Sequence, residues 1–170
     1  DAGAGFLASV CSQWEGAAFE ASGHTRVVML RTGLVLGDKG ALTPLRLLTL
    51  ACVSGPLAGG KAWWPWISLN DEARAIIHLI TSTVSGPVNL VGPQAATSGT
   101  LLRTLAVLLK RPYWLPAPRF ALSALLGEGG REVMLSSQKV VPQVLLADGF
   151  AFKEPTVGQA LAAAIGAQGF

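Results

Sequence analysis

The sequence has few of the residues on which several common kinds of protein depend. Only two of its 170 residues are cysteines, Cys11 and Cys52, so it cannot build a disulfide framework. This scarcity favours a reducing intracellular compartment, either the cytoplasm or the interior of an organelle. Cysteine and histidine do not occur at the spacing of metal ligands, and no serine stands in a Gly-x-Ser-x-Gly turn. The sequence therefore gives no support to a zinc site or to a hydrolase of that kind.

Charge is also scarce, and it is not concentrated anywhere along the chain. Lysine and arginine number 13 against 10 aspartates and glutamates, and Lys110-Arg111 is the only adjacent basic pair. Nucleic-acid binding usually needs a basic stripe, so we expect no nucleic-acid partner. The most apolar stretch, residues 45–53, is far shorter than the roughly 20 residues of a transmembrane helix, so we expect no transmembrane segment.

Apolar residues, by contrast, are abundant. They make up 51% of the chain, and the mean hydropathy is +0.47. A compact domain of this size buries roughly 70% of the surface of its unfolded chain, so a core can form. The excess of apolar residues favours an additional apolar surface that contacts a partner.

Alternating helical and strand patterns predict an α/β fold. Strands are indicated by short apolar runs, which are typical of parallel strands buried on both faces. The predicted strands are Arg26–Arg31, Trp63–Leu69, Val88–Val91 and Phe150–Phe152. The predicted helices are Phe6–Glu20, Ala41–Cys52, Asp71–Thr83, Ser98–Lys110, Phe120–Leu126, Arg131–Ser136 and Thr156–Ala167. Because no hairpin signal joins the strands, a mostly parallel sheet is expected.

Two loops and one helix start stand out between these elements. Residues 33–40 are predicted to form a glycine-containing loop, and either Ser68 or Asn70 is expected to cap the helix that begins at Asp71. Residues 55–61 match the glycine and lysine positions of a phosphate-binding loop. However, Ala62 stands where a hydroxyl should hold magnesium, and an extended segment follows instead of a helix. A glycine-rich surface loop is therefore the favoured interpretation.

Few side chains suggest catalysis by their local pattern. Cys11 and Glu15 are four residues apart and share a helix face, but a carboxylate beside a thiol disfavours the thiolate that a reactive cysteine needs. A buried Cys11 that fills space is the favoured interpretation. His24 and His78 are expected to be ordinary packed or exposed histidines, and the tryptophans of residues 63–66 are expected to pack in a core or an interface.

Five ordered motifs resemble one protein family. They are FLAxVCxxWE over residues 6–15, LRTGLVLG over 30–37, GPLxxGK over 55–61, PWISLND over 65–71 and GPVNL over 86–90. Together they resemble an atypical group of extended short-chain dehydrogenases, often called epimerase family proteins, which are relatives of nucleoside-diphosphate-sugar epimerases. The segments LPxP, LGE, LSxQKVxP and ADGF between residues 115 and 150 are similar to the small carboxyl-terminal domain of that family.

The resemblance implies a fold and a division into domains. Residues 1–95 would form the carboxyl-terminal part of a Rossmann-like, mostly parallel NAD(P)-binding sheet with substrate-lobe segments. Residues 96–170 would form a small α+β domain on the substrate side. The family's amino-terminal half carries a Gly-x-x-Gly-x-x-Gly turn, which these 170 residues lack, so Asp1 could follow a processing site or an interior cut. NADP or NAD is therefore expected only together with that half, and no cofactor is expected for this fragment alone.

The resemblance also implies catalytic and cofactor-binding positions. Cys11 and Glu15 stand where the wider superfamily has a catalytic Tyr-x-x-x-Lys pair, and a thiol and a carboxylate cannot reproduce that chemistry. The loop after the Leu-Arg strand lies beside the nicotinamide in the family, so Arg31, Thr32 and Gly33 are the implied cofactor contacts.

Four further positions are implied to bind substrate. Leu34 stands where nucleotide-sugar epimerases have an asparagine, and Ser68 stands where relatives usually have a histidine. Trp66 and Asp71 are implied to line the substrate cleft, although a packed indole and an acid at a helix start would look the same in the sequence. These departures put a sugar-nucleotide substrate in doubt.

Two functions remain open from the sequence. The first is the substrate-side half of an NAD(P)-dependent epimerase or oxidoreductase, weak or inactive alone, whose partner is the missing amino-terminal half. The second is a non-catalytic structural subunit, a pseudoenzyme that uses this scaffold to dock against another protein chain in a larger assembly.

Overall fold

The computed structural model describes residues 6–117 and 136–166. Its helices and strands alternate along most of this length. In chain order they are α1 (Phe6–Phe19), β1 (Val28–Thr32), β2 (Leu34–Leu36), α2 (Leu42–Leu50), β3 (Trp63–Trp64), β4 (Trp66–Ser68), α3 (Leu69–Thr81), β5 (Gly86–Leu90), β6 (Ala96–Thr97), α4 (Ser98–Leu108), α5 (Gln143–Ala147) and α6 (Val157–Gly166). A short 3₁₀ turn, Glu20–Gly23, follows α1.

The strand β1 pairs in parallel with β5, and helices lie on both faces of this pair. Val28 lies opposite Gly86, and Thr32 lies opposite Leu90. Side chains alternate between the two faces of a strand. Arg31 bonds to Glu15 of α1, whereas the next residue, Thr32, bonds to α3. The helices α1 and α3 therefore cover opposite faces of β1, which is the layered arrangement of a doubly wound α/β fold.

Gly33 marks the point where the chain passes from one parallel pair to the next. Its N–H donates to the Leu90 carbonyl at 3.0 Å, whereas the Leu34 N–H donates to the Pro65 carbonyl at 2.7 Å. The strand β2 then runs parallel to β4, with Leu34 opposite Trp66. A Cβ on Gly33 would lie 2.8 Å from the Pro65 oxygen, so this close approach of two backbones requires glycine.

Two groups of apolar side chains form the core. The first lies between β2, β4 and the helices α2, α4 and α6, and its fully buried members include Leu36, Trp66 and Leu161. The second lies beneath α3 and includes Val88 and Leu145. Because α6 packs on β2, β4 and α4, the end of the chain is joined to its first half by apolar contact. The domain division between residues 95 and 96 stays a prediction.

The predicted α/β class is confirmed, since two of the three strand pairs in the described residues are parallel. Four of the predicted helices recur as α1, α2, α3 and α4, with ends shifted by at most two residues. The last predicted helix recurs as α6, and Ala167 lies outside the described residues. The helix predicted over 120–126 lies outside them too, as does all of the helix predicted over 131–136 except its last residue.

Several predicted elements differ from the structure. The strand predicted over residues 63–69 is two strands, because Pro65 has no N–H to give to a ladder. Its first half, β3, instead pairs antiparallel with β6. The predicted loop over residues 33–40 contains β2. The strand predicted at Phe150–Phe152 is wrong, since these two rings pack edge to face at 4.9 Å in an irregular segment.

The glycine-rich loop of residues 55–61 has the structure of a turn that packs on α4. Gly59 and Gly60 both have positive φ angles, and Gly99 donates its N–H to the Gly60 carbonyl at 3.0 Å. Lys61 is exposed, and the strand β3 follows it. Since no helix begins at Lys61, the backbone amides that a phosphate-binding loop presents are not assembled here.

Candidate functional site

Three of the predicted catalytic and cofactor-binding residues meet on the α1 face of β1. Arg31 donates from Nε and Nη2 to the two carboxylate oxygens of Glu15, at 2.6 and 2.7 Å. This two-point bond to Arg31 lowers the pKa of the Glu15 carboxyl, and the same bond raises the pKa of Arg31. A smaller part of the rise in the Arg31 pKa comes from the electrostatic interaction of the guanidinium with Cys11. The guanidinium thus lies within electrostatic reach of both predicted catalytic side chains.

Cys11 itself is exposed, so the interpretation of this residue as buried filling is wrong. The helix α1 presents most of its surface to solvent, including Trp14, whose exposed fraction is 71%. Arg31 is bonded to both oxygens of Glu15, and its positive charge offsets the negative charge of this carboxylate. The thiol of Cys11 is therefore next to an ion pair and not next to an isolated carboxylate. The sequence reasoning considered only the local pair and could not include a cation that lies 16 residues further along the chain.

A second polar contact lies on the opposite, α3 face of β1. Thr32, another predicted cofactor contact, donates its hydroxyl to Oε1 of Glu72 at 2.9 Å. Burial raises the pKa of Glu72, and the bond from Thr32 opposes this effect only in part. The other oxygen, Oε2, is buried and has no hydrogen-bond partner among the described residues. Sequence reasoning missed Glu72, because an acid in the first turn of a helix is an ordinary stabilising feature.

The structure gives the predicted substrate residues Leu34 and Trp66 packing roles. Leu34 packs against the first core group. Trp66 is 1% exposed, and its indole N–H donates to the Gln94 carbonyl at 2.9 Å. The ring lies so close to Gly92 that a Cβ there would come within 2.7 Å of it. Trp66 is also one of the residues that line a small pocket, together with Gly92 and Lys139. The roles of Leu34 and Trp66 toward a substrate stay predictions.

Ser68 and Asp71 belong to a buried polar network at the start of α3. Ser68 is the N-cap, since its Oγ accepts from the Asp71 N–H at 3.0 Å, and its hydroxyl donates to Oε2 of Glu154 at 2.8 Å. Asp71 is fully buried and accepts from the N–H groups of Lys153 and Glu154, both at 2.8 Å, and from Arg74. The network joins α3 to the segment before α6.

The carboxyl end of α3 is bonded to Asp148, which lies in the segment before α6. Asp148 accepts from the Ser82 hydroxyl at 2.7 Å, and its carboxylate lies 2.8 Å from Nε2 of His78. The Ser82 bond, with a further contribution from His78, lowers the pKa of Asp148. Phe150 packs against His78 on one side and carries the Arg74 guanidinium over its ring. Residues 148–154 therefore contact both ends of α3, and we call them the α3 clip.

An open cleft of about 550 Å³ lies at the other end of β1, away from these residues. Phe19, His24, Arg26 and Ser85 are among the side chains that line it. Arg26 donates to the Ile80 carbonyl in the last turn of α3 and to the Val84 carbonyl in the segment that follows this helix. No predicted site residue lines this cleft.

Residues 6–117 and 136–166 contain neither a cluster of metal ligands nor a membrane-spanning helix. Within those ranges, no group of three or more histidine, cysteine, aspartate or glutamate side chains is placed to hold a metal ion. None of the helices in those ranges is both long enough and apolar enough to cross a membrane.

Comparison with known proteins finds relatives that match almost the whole chain. The epimerase family protein of Mycobacterium leprae is 39% identical over 163 residues, which are 94% of this chain and 53% of that protein. The chloroplastic epimerase family protein SDR39U1 homolog of Arabidopsis thaliana is 40% identical over 95% of this chain and 47% of its own length. Over nearly its whole length, this chain is similar to epimerase family proteins. It spans about half the length of these relatives.

Solved structures of the family support the fold as well. The human epimerase family protein SDR39U1, crystallised with NADPH, superimposes with a TM-score of 0.88 at 31% identity, covering 96% of this chain and 55% of that one. Residues 117–164 match a domain of unknown function, DUF1731, which is a carboxyl-terminal domain of the family. The described part of that match includes the whole α3 clip. The resemblance drawn from the sequence motifs is therefore confirmed.

Proposed function

We propose that this chain is the substrate-side half of an NAD(P)-dependent epimerase or oxidoreductase, and that it is weak or inactive alone. Similarity to epimerase family proteins supports the scaffold, and a relative crystallised with NADPH supports the type of cofactor. The partner in this proposal is the amino-terminal half of the family fold, which contributes the glycine-rich turn and the first strands of the sheet. We place the assembled protein in a reducing compartment, since both cysteines of the described residues are free thiols.

The observation that carries the proposal is an unpaired edge of β1. In a parallel ladder, the N–H and C=O of one residue point to the same side, and this side alternates along the strand. Val27 and Gly33 both bond toward β5, so the odd-numbered residues of β1 face β5. The backbone groups of Val28, Leu30 and Thr32 therefore face away from it. Among the described residues, β1 pairs with no other strand, which leaves three donors and three acceptors available.

Exposed apolar side chains surround this edge and support the same proposal. Leu30 is 42% exposed although it lies in the middle of a strand, and Ile76 and Ile80 of α3 are 38% and 68% exposed. On the other face of β1, Trp14 and Phe19 of α1 are 71% and 62% exposed. A partner that extends the sheet beyond β1 would cover both groups, and their burial would stabilise the association.

The cofactor site would be shared between the two halves. In this proposal two side chains at the carboxyl end of β1 supply polar contacts to the cofactor. They are the Thr32 hydroxyl and Arg31, whose Nη1 is not bonded to Glu15. The backbone amides that hold a pyrophosphate would come from the other half, since a second strand and not a helix follows β1. When bound, the nicotinamide supplies hydride transfer. The close approach to Pro65 accounts for a glycine at position 33, and the contact of Gly33 with the cofactor stays a prediction.

NADPH binding tests this proposal. Two proteins are compared: the chain alone, and a fusion protein. In the fusion, the part of the Mycobacterium leprae relative that the chain does not match precedes the chain. Nicotinamide fluorescence is measured as NADPH is added to each protein. We expect saturable binding by the fusion and none by the chain or by the added part alone. Saturable binding by the chain alone would show that it is not a half, and the absence of binding by the fusion would contradict the cofactor assignment.

A second candidate function is a non-catalytic subunit that docks in a larger assembly. It is favoured by one specific observation: the positions of the catalytic Tyr and Lys hold Cys11 and Glu15, and Glu15 is occupied by Arg31. An assembled protein that binds NADPH but transfers no hydride to any carbonyl or sugar-nucleotide substrate would favour this candidate. Reduction of such a substrate, lost in Cys11→Ala, would exclude it.

A further inference from the structure

Glu72 has an unsatisfied oxygen at the end of the free edge of β1. Its Oε1 accepts from Thr32, which is the last residue of β1 and is exposed, whereas its Oε2 is buried and has no hydrogen-bond partner in the part of the chain that the structure describes. Rotation about the terminal torsion of the side chain can exchange the two carboxylate oxygens. In either position, only one of them accepts the hydrogen bond from Thr32. A carboxylate oxygen that is shielded from water and makes no hydrogen bond costs free energy. Such an atom in a native fold needs an explanation.

The surroundings of Glu72 are apolar on the side of the free edge. Leu30 precedes Thr32 by two residues and so lies on the same face of β1. Ile76 follows Glu72 by one helical turn on the same side of α3, and both apolar side chains are exposed. A strand added to β1 would lie about 4.8 Å from it, so one of its side chains would stand beside Thr32 on the α3 face. That side chain would be placed to reach Glu72.

We propose that Glu72 is a docking residue, and that the strand which joins β1 carries a hydrogen-bond donor, a hydroxyl, amide or cationic side chain, beside Thr32. This inference rests on the proposed function, because it takes the amino-terminal half as the occupant of the edge. The donor forms a hydrogen bond to the free oxygen of Glu72. The other contacts of the added strand on the α3 face of β1 are apolar. Burial raises the pKa of Glu72 in the isolated chain, as expected for a carboxylate that has only part of its partners.

The same contact would fix the register of the added strand. A slip by one residue turns every side chain to the opposite face of a sheet. The donor would then point toward α1, and Glu72 would again lack a partner. An apolar side chain at position 72 would bury apolar surface against the added strand. It would, however, favour one register of that strand only weakly over the others. A single polar contact of this kind favours one alignment over its neighbours at some expense in the stability of the isolated half.

The experiment measures two properties of the same variants. Glu72→Leu and Glu72→Gln are compared with wild type for thermal unfolding of the isolated chain, and for the Kd of association with the unmatched part of the Mycobacterium leprae relative, added as a separate labelled protein. Glu20→Gln, an exposed acid in the turn after α1, is the matched control. We expect Glu72→Leu to unfold at a higher temperature than wild type, yet to associate about tenfold more weakly or worse.

These opposite signs are what separate docking from a purely structural role. Glu72→Gln keeps one acceptor oxygen, so its loss of affinity is expected to be smaller than that of Glu72→Leu. The control is expected to change neither property. A Glu72→Leu variant that associates as tightly as wild type would overturn this inference and leave the proposed function standing. If no version associates, both this inference and the proposed two-part sheet are wrong.

Discussion

The two helices on opposite faces of β1 are held in different ways. The helix α1 is tied to the strand by one ion pair between Glu15 and Arg31, whose side chains are 30% and 52% exposed. The helix α3 is tied at both ends by the α3 clip, through Asp71, which is fully buried, and through Asp148. An exposed ion pair contributes about 0 to 1 kcal/mol, whereas a buried, fully bonded carboxylate is far more costly to disturb.

This contrast shows which part of the fold is complete within the described residues. The helix α3 is bonded at both ends to the α3 clip, which lies within the residues that match a domain of unknown function. A role for this domain follows from the geometry, because the clip sets the position of α3 and therefore of Glu72 beside β1. The α1 side exposes Trp14 and Phe19, the side chains that the proposed partner half would cover.

The largest effect is expected from removal of the buried acid in the clip. Asp71→Ala would leave the N–H groups of Lys153 and Glu154 without acceptors and Arg74 without its partner. The free energy of unfolding should fall by about 3 kcal/mol or more, since each orphaned buried donor costs about 1 to 3 kcal/mol. Urea unfolding followed by circular dichroism measures it. A loss below about 1 kcal/mol would show that the clip does not hold α3.

An intermediate, pH-dependent effect is expected at the other end of α3. The pKa of Asp148 is lowered by Ser82 and then by His78, so the folded state favours the carboxylate. Its contribution to stability is present above the ordinary aspartate pKa of about 4 and is lost as the pH falls through the lower folded pKa. The difference in urea midpoint between wild type and Asp148→Asn should therefore shrink from pH about 7 to pH about 3. A difference that grows toward acid pH would reverse this assignment.

The smallest effect is expected on the α1 side. Glu15→Ala removes the ion pair with Arg31 and should lower the free energy of unfolding by less than about 1 kcal/mol, because both groups are partly exposed. The effect should shrink further in about 1 M salt, where charges are screened. Unfolding in urea at low and high salt measures it, with Glu20→Gln as control. A loss as large as that of Asp71→Ala would remove the contrast between the two helices.

Much of the fold is visible in local sequence patterns. Apolar spacing located the main helices, and the Ser68 and Asp71 pattern marked the start of α3, because periodicity and capping act within a few residues. The strand predicted over residues 63–69 was divided by Pro65, whose carbonyl serves Leu34 instead. The pattern at Phe150–Phe152 resembled a strand, but these rings are held by each other and by Arg74, which is distant in sequence.

The candidate site was less predictable, since its partners lie far apart in the chain. Glu154 meets Ser68 across 86 residues, and Glu72 meets Thr32 across 40, and neither pairing leaves a local signal. Arg31 was singled out for a cofactor through the family resemblance, yet its observed partner is Glu15. Cys11 was expected inside because thiols are usually buried, but the outer face of α1 is uncovered among the described residues.

The free edge of β1 is the feature on which the proposed two-part sheet depends most directly. Residue-resolved amide hydrogen exchange of the chain, alone and with the unmatched part of the Mycobacterium leprae relative, tests it. In the isolated chain the amides of Met29, Arg31 and Gly33 should be protected, whereas those of Val28, Leu30 and Thr32 should exchange rapidly, and addition of the partner should protect the second set. Equal protection of both sets in the isolated chain would mean that the edge is already paired and would contradict the account.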